Sequence, residues 1–329
     1  MKKQVLVTGG TGLVGANLVK HLNQRGMKPR VLLRKTSRTT ALEDLDWEPR
    51  YGDVTEIGSL ERAVEGCDWV LHAAAVVSFW KKRWDEVMRV NVEGTRALLE
   101  VSRQAGVRKF VLTSSMAAVG FARQPGGQVD ERSPWNYEPY GMVYHTSKKR
   151  SEELVLAAAS ADFQTFAINP GLVFGERDVN LGAARYFKYL ERFPLPFTSR
   201  GRVMVSDADD VAEAHILAAE KGRAGERYIV ASGCLSYLEL QCRVAEIVGR
   251  RPPRWIVPAW AVQAAGRLGE ILGRLTGWEP VLTTDMAIDA NVFGHASSAK
   301  AQAELGLEPT PVGEALAKSY RWVADQGLV

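Results

Sequence analysis

Cysteine is scarce, with Cys67, Cys234 and Cys242 the only three in 329 residues. Their count is odd and their spacing fits no metal cluster, which points to reduced thiols in a cytoplasm and to no metal centre. Charge excess is small as well. A formal net charge of +4, carried by scattered Lys and Arg, argues against nucleic acid as a partner. The local run Lys81-Lys82-Arg83 reads as a solvated loop or helix start. There is no internal repeat and no low-complexity tract. The first strand begins at about Gln4, which leaves no room for a signal peptide. No apolar run reaches the ~20 residues that a transmembrane segment needs. Residues 257–278 come nearest, with Trp260, Val262, Leu268, Ile271, Leu272 and Leu275, but Pro258, Arg267, Glu270 and Arg274 interrupt them. The three charged residues fall on one side of a helix. This predicts an amphipathic helix packed as a cap over a substrate pocket, with membrane-surface contact as the lesser alternative.

What is present is ordinary for a globular protein: 46% hydrophobic and 24% charged residues. The length suits a nucleotide-binding domain with a smaller second one. Short apolar runs alternate with helical patterns, which predicts an α/β fold with helices on both faces of a parallel sheet. Strands are expected near residues 4–8, 29–34, 48–52, 68–73, 108–114 and 163–168, and helices over 83–104 and 141–160. Beyond Pro170 the pattern is broken by Pro194, Pro196, Pro252, Pro253 and Pro258.

Two motifs carry chemistry. Val5-Leu6-Val7-Thr8 reads as a buried strand and runs directly into Gly9-Gly10-Thr11-Gly12-Leu13-Val14-Gly15. Leu13, Val14, Leu18, Val19 and Leu22 then recur at helical spacing. Strand, glycine turn and helix in that order form the context of a dinucleotide fingerprint. Glycines let the backbone approach a pyrophosphate, which sits at the helix N-terminus where free N–H groups favour an anion. Further on, Tyr144 and Lys148 stand four apart, on one face of a helix. By itself such a pair is more often a solvated surface pair. A nearby ammonium lowers the phenol's ordinary pKa of about 10, which makes the pair a proton relay near neutral pH.

Together these motifs resemble the extended short-chain dehydrogenase/reductase family, also termed the NAD-dependent epimerase/dehydratase superfamily. The resemblance runs nearly end to end. Asp53-Val54 resembles the family's adenine-contacting pair, and His72-Ala73-Ala74-Ala75 its strand-four motif beside the cofactor. Asn91-Val92-Glu93-Gly94-Thr95 matches the Asn-bearing helix, and Thr113-Ser114-Ser115 the strand end with the catalytic serine. Asn169-Pro170-Gly171-Leu172-Val173-Phe174-Gly175 matches the Pro-x-x-Val-Tyr/Phe-Gly segment, and Asp207-Ala208-Asp209-Asp210-Val211-Ala212 the Asp-Val/Leu-Ala helix start.

The resemblance implies a Rossmann-type doubly wound parallel sheet with a smaller discontinuous C-terminal substrate domain. Residues 1–170 and 206–232 would bind the nucleotide, and 171–205 with 233–329 mainly the substrate. Tyr144 would be the acid that protonates a carbonyl oxygen, and Lys148 would lower its pKa and bind the nicotinamide ribose. Ser115 would hold the substrate oxygen, with Ser114 as the fallback, and Asn91 would help position the lysine. An Asn at a helix start is also a common cap. Asn169 and His145 read as structural polar residues. A homodimer is implied through the helices of 83–104 and 141–160.

Cofactor choice turns on the end of the second strand. An NAD enzyme places Asp or Glu there, about 20 residues past the glycines. Here Leu33 holds that position, and Arg34, Lys35, Ser37 and Arg38 follow. A guanidinium can hold a 2′-phosphate in a bidentate fork, so NADP(H) is favoured over NAD(H).

The resemblance leaves several reactions open. Relatives that epimerise nucleotide sugars carry an Arg on the strand before the Asp-Val/Leu-Ala helix, where this chain has Val203, between Arg202 and Met204. No arginine occurs in 283–291 either, though Arg202 or Arg200 could substitute. Phe79, Trp80, Met116, Trp135, Tyr137, Phe187 and Tyr189 fall in segments that flank the site in relatives. An apolar lining of that kind suits a hydrophobic ketone, aldehyde or secondary alcohol. The pattern most resembles the dihydroflavonol-4-reductase and 3β-hydroxysteroid-dehydrogenase branch, and Ser297-Ser298-Ala299-Lys300-Ala301 with Glu304-Leu305-Gly306 fits it. A nucleotide-sugar epimerase or dehydratase is the alternative, and a non-catalytic NADP-binding regulator is the third reading.

Overall fold

A computed structural model describes residues 3–122, 124, 126–193 and 196–329; Pro194 lies outside the described residues. The central feature is a seven-stranded, all-parallel sheet. Its strands are β1 (Val5–Thr8), β2 (Arg30–Leu33), β3 (Glu48–Tyr51), β4 (Trp69–His72), β5 (Lys109–Thr113), β6 (Gln164–Pro170) and β10 (Glu226–Val230). They lie in the order β10-β6-β5-β4-β1-β2-β3, the doubly wound arrangement with its switch point between β1 and β4. Strands β1 and β4 are buried at every position, as parallel strands covered on both faces must be. Edge strand β3 instead alternates half-buried and exposed, and carries Pro49 where no donor is missed.

Alternation along β1 feeds two cores. Val5 and Val7 pack on one face with helices α1 (Leu13–Gln24) and α7 (Ala208–Lys221), while Leu6 packs on the other. That second face is covered by α2 (Ile57–Val64), α4 (Gly94–Gln104) and α5 (Val143–Ala157). Ala301 and Leu305 of α11 (Ala299–Leu305) join the first core.

A smaller sheet, β11-β9-β7, and a two-stranded piece, β12-β8, lie outside the main sheet. They comprise β7 (Leu172–Phe174), β8 (Phe197–Thr198), β9 (Arg202–Asp207), β11 (Gly233–Ser236) and β12 (Trp255–Ile256). A third core joins β7 and β9 to α6 (Arg185–Arg192), α8 (Tyr237–Ile247) and α12 (Val312–Asp325). Helix α9 (Ala259–Thr276) packs on α10 (Thr284–Asp289).

One expected helix changes its winding and one expectation needs correction. The helix over 83–104 runs unbroken from Trp84 to Gln104, but between α3 (Trp84–Val87) and α4 it widens into a π-helical segment, Met88–Glu93. The wider winding falls where Asn91 sits, and such segments favour functional sites. In α9 the buried residues are Gly266, Glu270 and Gly273, whereas Leu268, Ile271, Leu272 and Leu275 face outward. The glycines permit this. A Cβ at Gly266 would lie 2.7 Å from the Thr283 carbonyl oxygen, so the small-residue side makes the close approach and the apolar side does not. The apolar stripe is therefore not what this helix packs over a pocket.

Candidate active site

The glycine turn is shaped by contact at the sheet's switch point. Gly9 has φ of +67°, and a Cβ there would come within 2.6 Å of the Ala73 backbone. A Cβ at Gly15 would meet the Gly9 carbonyl oxygen at 2.1 Å. Gly12, by contrast, caps α1 without a side-chain bond, and a Cβ there would have only the Gly9 oxygen nearby, at 3.5 Å. The open side of the turn, with Thr11, Leu13 and Val14, thus presents a helix N-terminus suited to a diphosphate. His72 locks the neighbouring strand end: Nδ1 lies 2.6 Å from Thr8 Oγ1 and Nε2 2.9 Å from Thr95 Oγ1. Burial pushes its pKa down to about 3, so it is neutral. The Ala74 amide donates to Thr8 Oγ1, which fixes the Ala73-Ala74-Ala75 segment beside the turn.

Leu33 is buried at the end of β2, and Arg34 and Lys35 are exposed just beyond it. Ser37 Oγ accepts from the Arg34 amide, which holds the basic loop in a turn. Asp53 caps its own turn, accepting from the Thr55 amide and hydroxyl at 2.9 and 2.8 Å. Burial opposes ionisation there, but the Thr55 bonds outweigh it and the pKa is lowered. Val54 is buried against Gly94. Pro170 ends β6 in the core, and Val173 of β7 is half-buried. These residues fit a dinucleotide laid across the carboxyl ends of β1 and β4.

Helix α5 carries Tyr144 and Lys148 and lies against the end of β5. Lys148 Nζ donates to the Thr113 carbonyl at 2.9 Å and stands 5.9 Å from the Tyr144 ring centroid. Ser115 follows that strand in extended backbone, φ −165°, and its side chain lies beside the Tyr144 phenol, whose pKa it lowers. Ser114 points inward and donates to Glu152 at 2.5 Å, so Ser115 is the serine beside the phenol. Asn91 does not touch the lysine. Its Nδ2 donates to Val76 O and Ser147 Oγ at 2.9 and 3.0 Å, and its Oδ1 accepts from the Val76 amide at 2.7 Å. It therefore joins the segment after β4 to α5 one residue before Lys148.

The acidities differ from the expected ones. Burial pushes the Tyr144 pKa up to about 12, with Ser115 pulling the other way and Asp289 adding to the rise. Burial also pushes Lys148 down to about 8, with Glu152 opposing. Desolvation disfavours both charged forms, and at this separation it outweighs the pull of ammonium on phenol.

Glu152, one turn past Lys148, escaped the sequence reading. It is 1% exposed and holds Ser114 and Asn169 with one oxygen, and Arg227 with the other at 2.7 Å. Asn169 in turn donates to the Ser115 carbonyl at 3.0 Å. The only available signal was its spacing of four from Lys148 on the same helix face.

The substrate side is aromatic, but not as expected. Phe79 lies 5.2 Å from Tyr144, and Tyr137 lies 4.3 Å from His145, ring to ring. Trp135 packs 6.4 Å from Tyr137. Trp80 is buried, and Met116 packs against a small core around Val119. Phe187 is fully buried in the third core and Tyr189 is a surface residue, so neither lines the site. One helical step away, Tyr186 packs on the same core, its ring 6.5 Å from that of Phe174, and Tyr237 begins α8. Burial raises both, Tyr186 to about 12, and Asp289 adds to each rise. Asp289 also stands 3.4 Å from His145 Nε2. Asp285 is buried, accepts from the Val143 amide at 3.0 Å and has its pKa pushed up to about 6 by burial. The run Lys81–Arg83 is a short 3-10 turn that leads directly into α3, a helix start, and its Arg83 bonds Glu86 and Glu279.

Among the described residues, no group of His, Cys, Asp and Glu could hold a metal ion, and no helix is long and apolar enough to cross a membrane. The family described as 3-beta hydroxysteroid dehydrogenase/isomerase matches residues 6–233. A putative dihydroflavonol 4-reductase from Synechocystis sp. is 31% identical, over 98% of this chain and 95% of its own. The sterol demethylase protein B of Methylococcus capsulatus is 33% identical, over 98% and 99%. The crystal structure of gox2253 superposes with a TM-score of 0.86 at 30% identity, covering 100% of both chains.

Proposed function

The chain belongs to the 3-beta hydroxysteroid dehydrogenase/isomerase family and is an oxidoreductase, and from that premise we propose that it interconverts a hydrophobic ketone or aldehyde with its alcohol, using NADP(H). The carrying observation is the cluster of Ser115, Tyr144 and Lys148 at the carboxyl end of β5, walled by Phe79 and Tyr137. Bound nicotinamide supplies or accepts the hydride. Ser115 and Tyr144 hold the substrate oxygen between their hydroxyls, and Tyr144 gives up its proton as charge develops there. A phenol held near a pKa of 12 is fully protonated at neutral pH, which suits it to act as the acid in reduction. Lys148 supplies positive charge behind the phenol. Asn91 and Glu152 hold α5 in register. Residues 1–170 and 206–232 form the nucleotide-binding part in this reading, and 171–205 with 233–329 mainly the substrate part. The homodimer is taken to form through the helices of 83–104 and 141–160, which share a shallow surface lined by Met88, Arg96 and Leu154.

The reading against a nucleotide-sugar epimerase is supported by Arg202, whose guanidinium is engaged with the Cys234 sulfur and carbonyl and is not free for a diphosphate. Consumption of NADPH with a panel of aryl and alicyclic ketones tests the proposal. Nicotinamide that stays bound through purification, without net consumption, would overturn it in favour of the epimerase.

Two further outcomes follow. Arg34→Ser is expected to raise the KM for NADPH roughly tenfold or more while leaving NADH nearly unchanged, since a charged hydrogen bond contributes about 1.5–3 kcal/mol. An equal effect on both cofactors would remove Arg34 from 2′-phosphate recognition. The Lys148 ammonium is lost as pH rises through about 8. Carbonyl reduction is accordingly expected to decline along that limb, and a rate that stays level through it would acquit Lys148 as the titrating group.

A further inference from the structure

Helix α9 presents its large apolar side chains to solvent. Trp260, Leu268, Ile271, Leu272 and Leu275 are 52–79% exposed. At 3.6 residues per turn they fall within a sector of about 120°. The opposite side is small. A Cβ at Gly266, Gly269 or Gly273 would come within 2.7, 2.5 and 2.9 Å of the backbone oxygens of Thr283, Leu282 and Trp278. Glu270, on that same side, is buried and accepts from the Thr284 amide at 3.0 Å. This is the reverse of an ordinary surface helix, whose apolar stripe faces the core. Trp255 of β12, 65% exposed, and Trp278, 80% exposed, flank the helix in the chain. An apolar stripe this wide along one helix marks an interaction site rather than scattered exposure.

Charge identifies the occupant. Arg267 and Arg274 border the stripe, about 20° and 40° beyond the Trp260 line on the side away from Leu272. Residues 250–281 hold five arginines and two glutamates. Of the glutamates, Glu270 is buried and Glu279 accepts from Ser78 and Arg83. Arg267 and Arg274 have no ion-pair partner among the described residues. A second copy of this chain would bring the same arginines to the contact, and no carboxylate to meet them. An anionic bilayer supplies both what the stripe lacks and what the arginines lack.

We propose that α9 lies flat on an anionic membrane surface, its apolar stripe at the headgroup–acyl boundary and Arg267 and Arg274 reaching back to lipid phosphates. The helix is about 27 Å long at 1.5 Å per residue and lies along the surface rather than across the bilayer. The docked element is tied to the catalytic helix on two sides. Glu279, just after α9, holds Ser78 and Arg83, and Phe79 between them faces Tyr144. Asp285 of α10, against which α9 packs, accepts from the first amide of α5. The membrane face and the site are thus neighbours.

Co-sedimentation with vesicles tests the proposal, using phosphatidylcholine alone and phosphatidylcholine mixed with an equal part of phosphatidylglycerol. The wild-type chain is expected to pellet with the anionic vesicles and to be released by salt. Ile271→Glu with Leu275→Glu is expected to abolish pelleting, and Arg267→Gln with Arg274→Gln to weaken it roughly tenfold or more. All four side chains are outside the core, so unchanged thermal unfolding serves as the control. Absence of binding by the wild type, or binding that survives the paired glutamates, would overturn the proposal. So would a dimer in light scattering that the glutamates dissociate while no form binds vesicles, which would assign the face to a second copy.

Discussion

Tyr144→Phe is expected to leave the fold intact and to lower carbonyl reduction by roughly 10²–10⁴-fold, the usual contribution of a positioned general acid. The substitution removes one hydroxyl and keeps the ring that packs 5.2 Å from Phe79. Ser115 loses a neighbouring hydroxyl but keeps its contact with the Ala117 amide, so the strand end does not collapse. The expected signature is a fall in kcat with NADPH binding unchanged, since hydride donor and glycine turn are untouched. Steady-state kinetics beside cofactor titration by fluorescence makes the comparison. Activity within a few-fold of wild type would transfer the acid role away from Tyr144.

The second large effect concerns stability. Glu152→Ala is expected to cost about 3–5 kcal/mol, because it leaves a buried guanidinium without its counter-charge. Arg227 has a side-chain exposure of only 12% and Glu152 of 1%. Two more donors, Ser114 and Asn169, lose their acceptor at the same time, each a buried polar group left unmatched. Arg227 retains the carbonyls of Ala118 and Glu131, which limits the loss. Urea unfolding measures it. A loss below about 1 kcal/mol would mean that those carbonyls alone satisfy the guanidinium. Since Asn169 also anchors the Ser115 carbonyl, Glu152→Gln, which preserves shape and one acceptor oxygen but not the counter-charge of Arg227, is expected to recover only part of the stability and part of the activity.

Much of this was legible from the chain, for identifiable reasons. The Gly9–Gly15 turn was readable because a strand, a helix and three glycines are all local features, and each restricts the backbone on its own. The spacing of Tyr144 and Lys148 was readable because α-helical geometry converts an interval of four into a shared face. Strand positions followed because buried parallel strands are apolar at successive positions, as in Val5–Thr8 and Trp69–His72.

Where a reading failed, the deciding partner was remote. Phe187 was taken as a lining residue; only the packing of α6 on α8 decides that it enters the core instead. Glu152 is joined to Arg227 across 75 positions, an interval with no periodicity to announce it. Tyr144 was expected to be acidified by its lysine, but both groups are buried, and desolvation is a property of the surrounding volume rather than of spacing. The same holds for α9. Its sequence determined an amphipathic helix with arginines beside an apolar stripe, while only the fit of Gly266, Gly269 and Gly273 against the following loop decided which face is turned to solvent. The sequence by itself thus determined the elements and the residue types available for chemistry, since these depend on short-range backbone constraints. The tertiary structure decided acidity, lining and the outward face, since those depend on which distant atoms displace water.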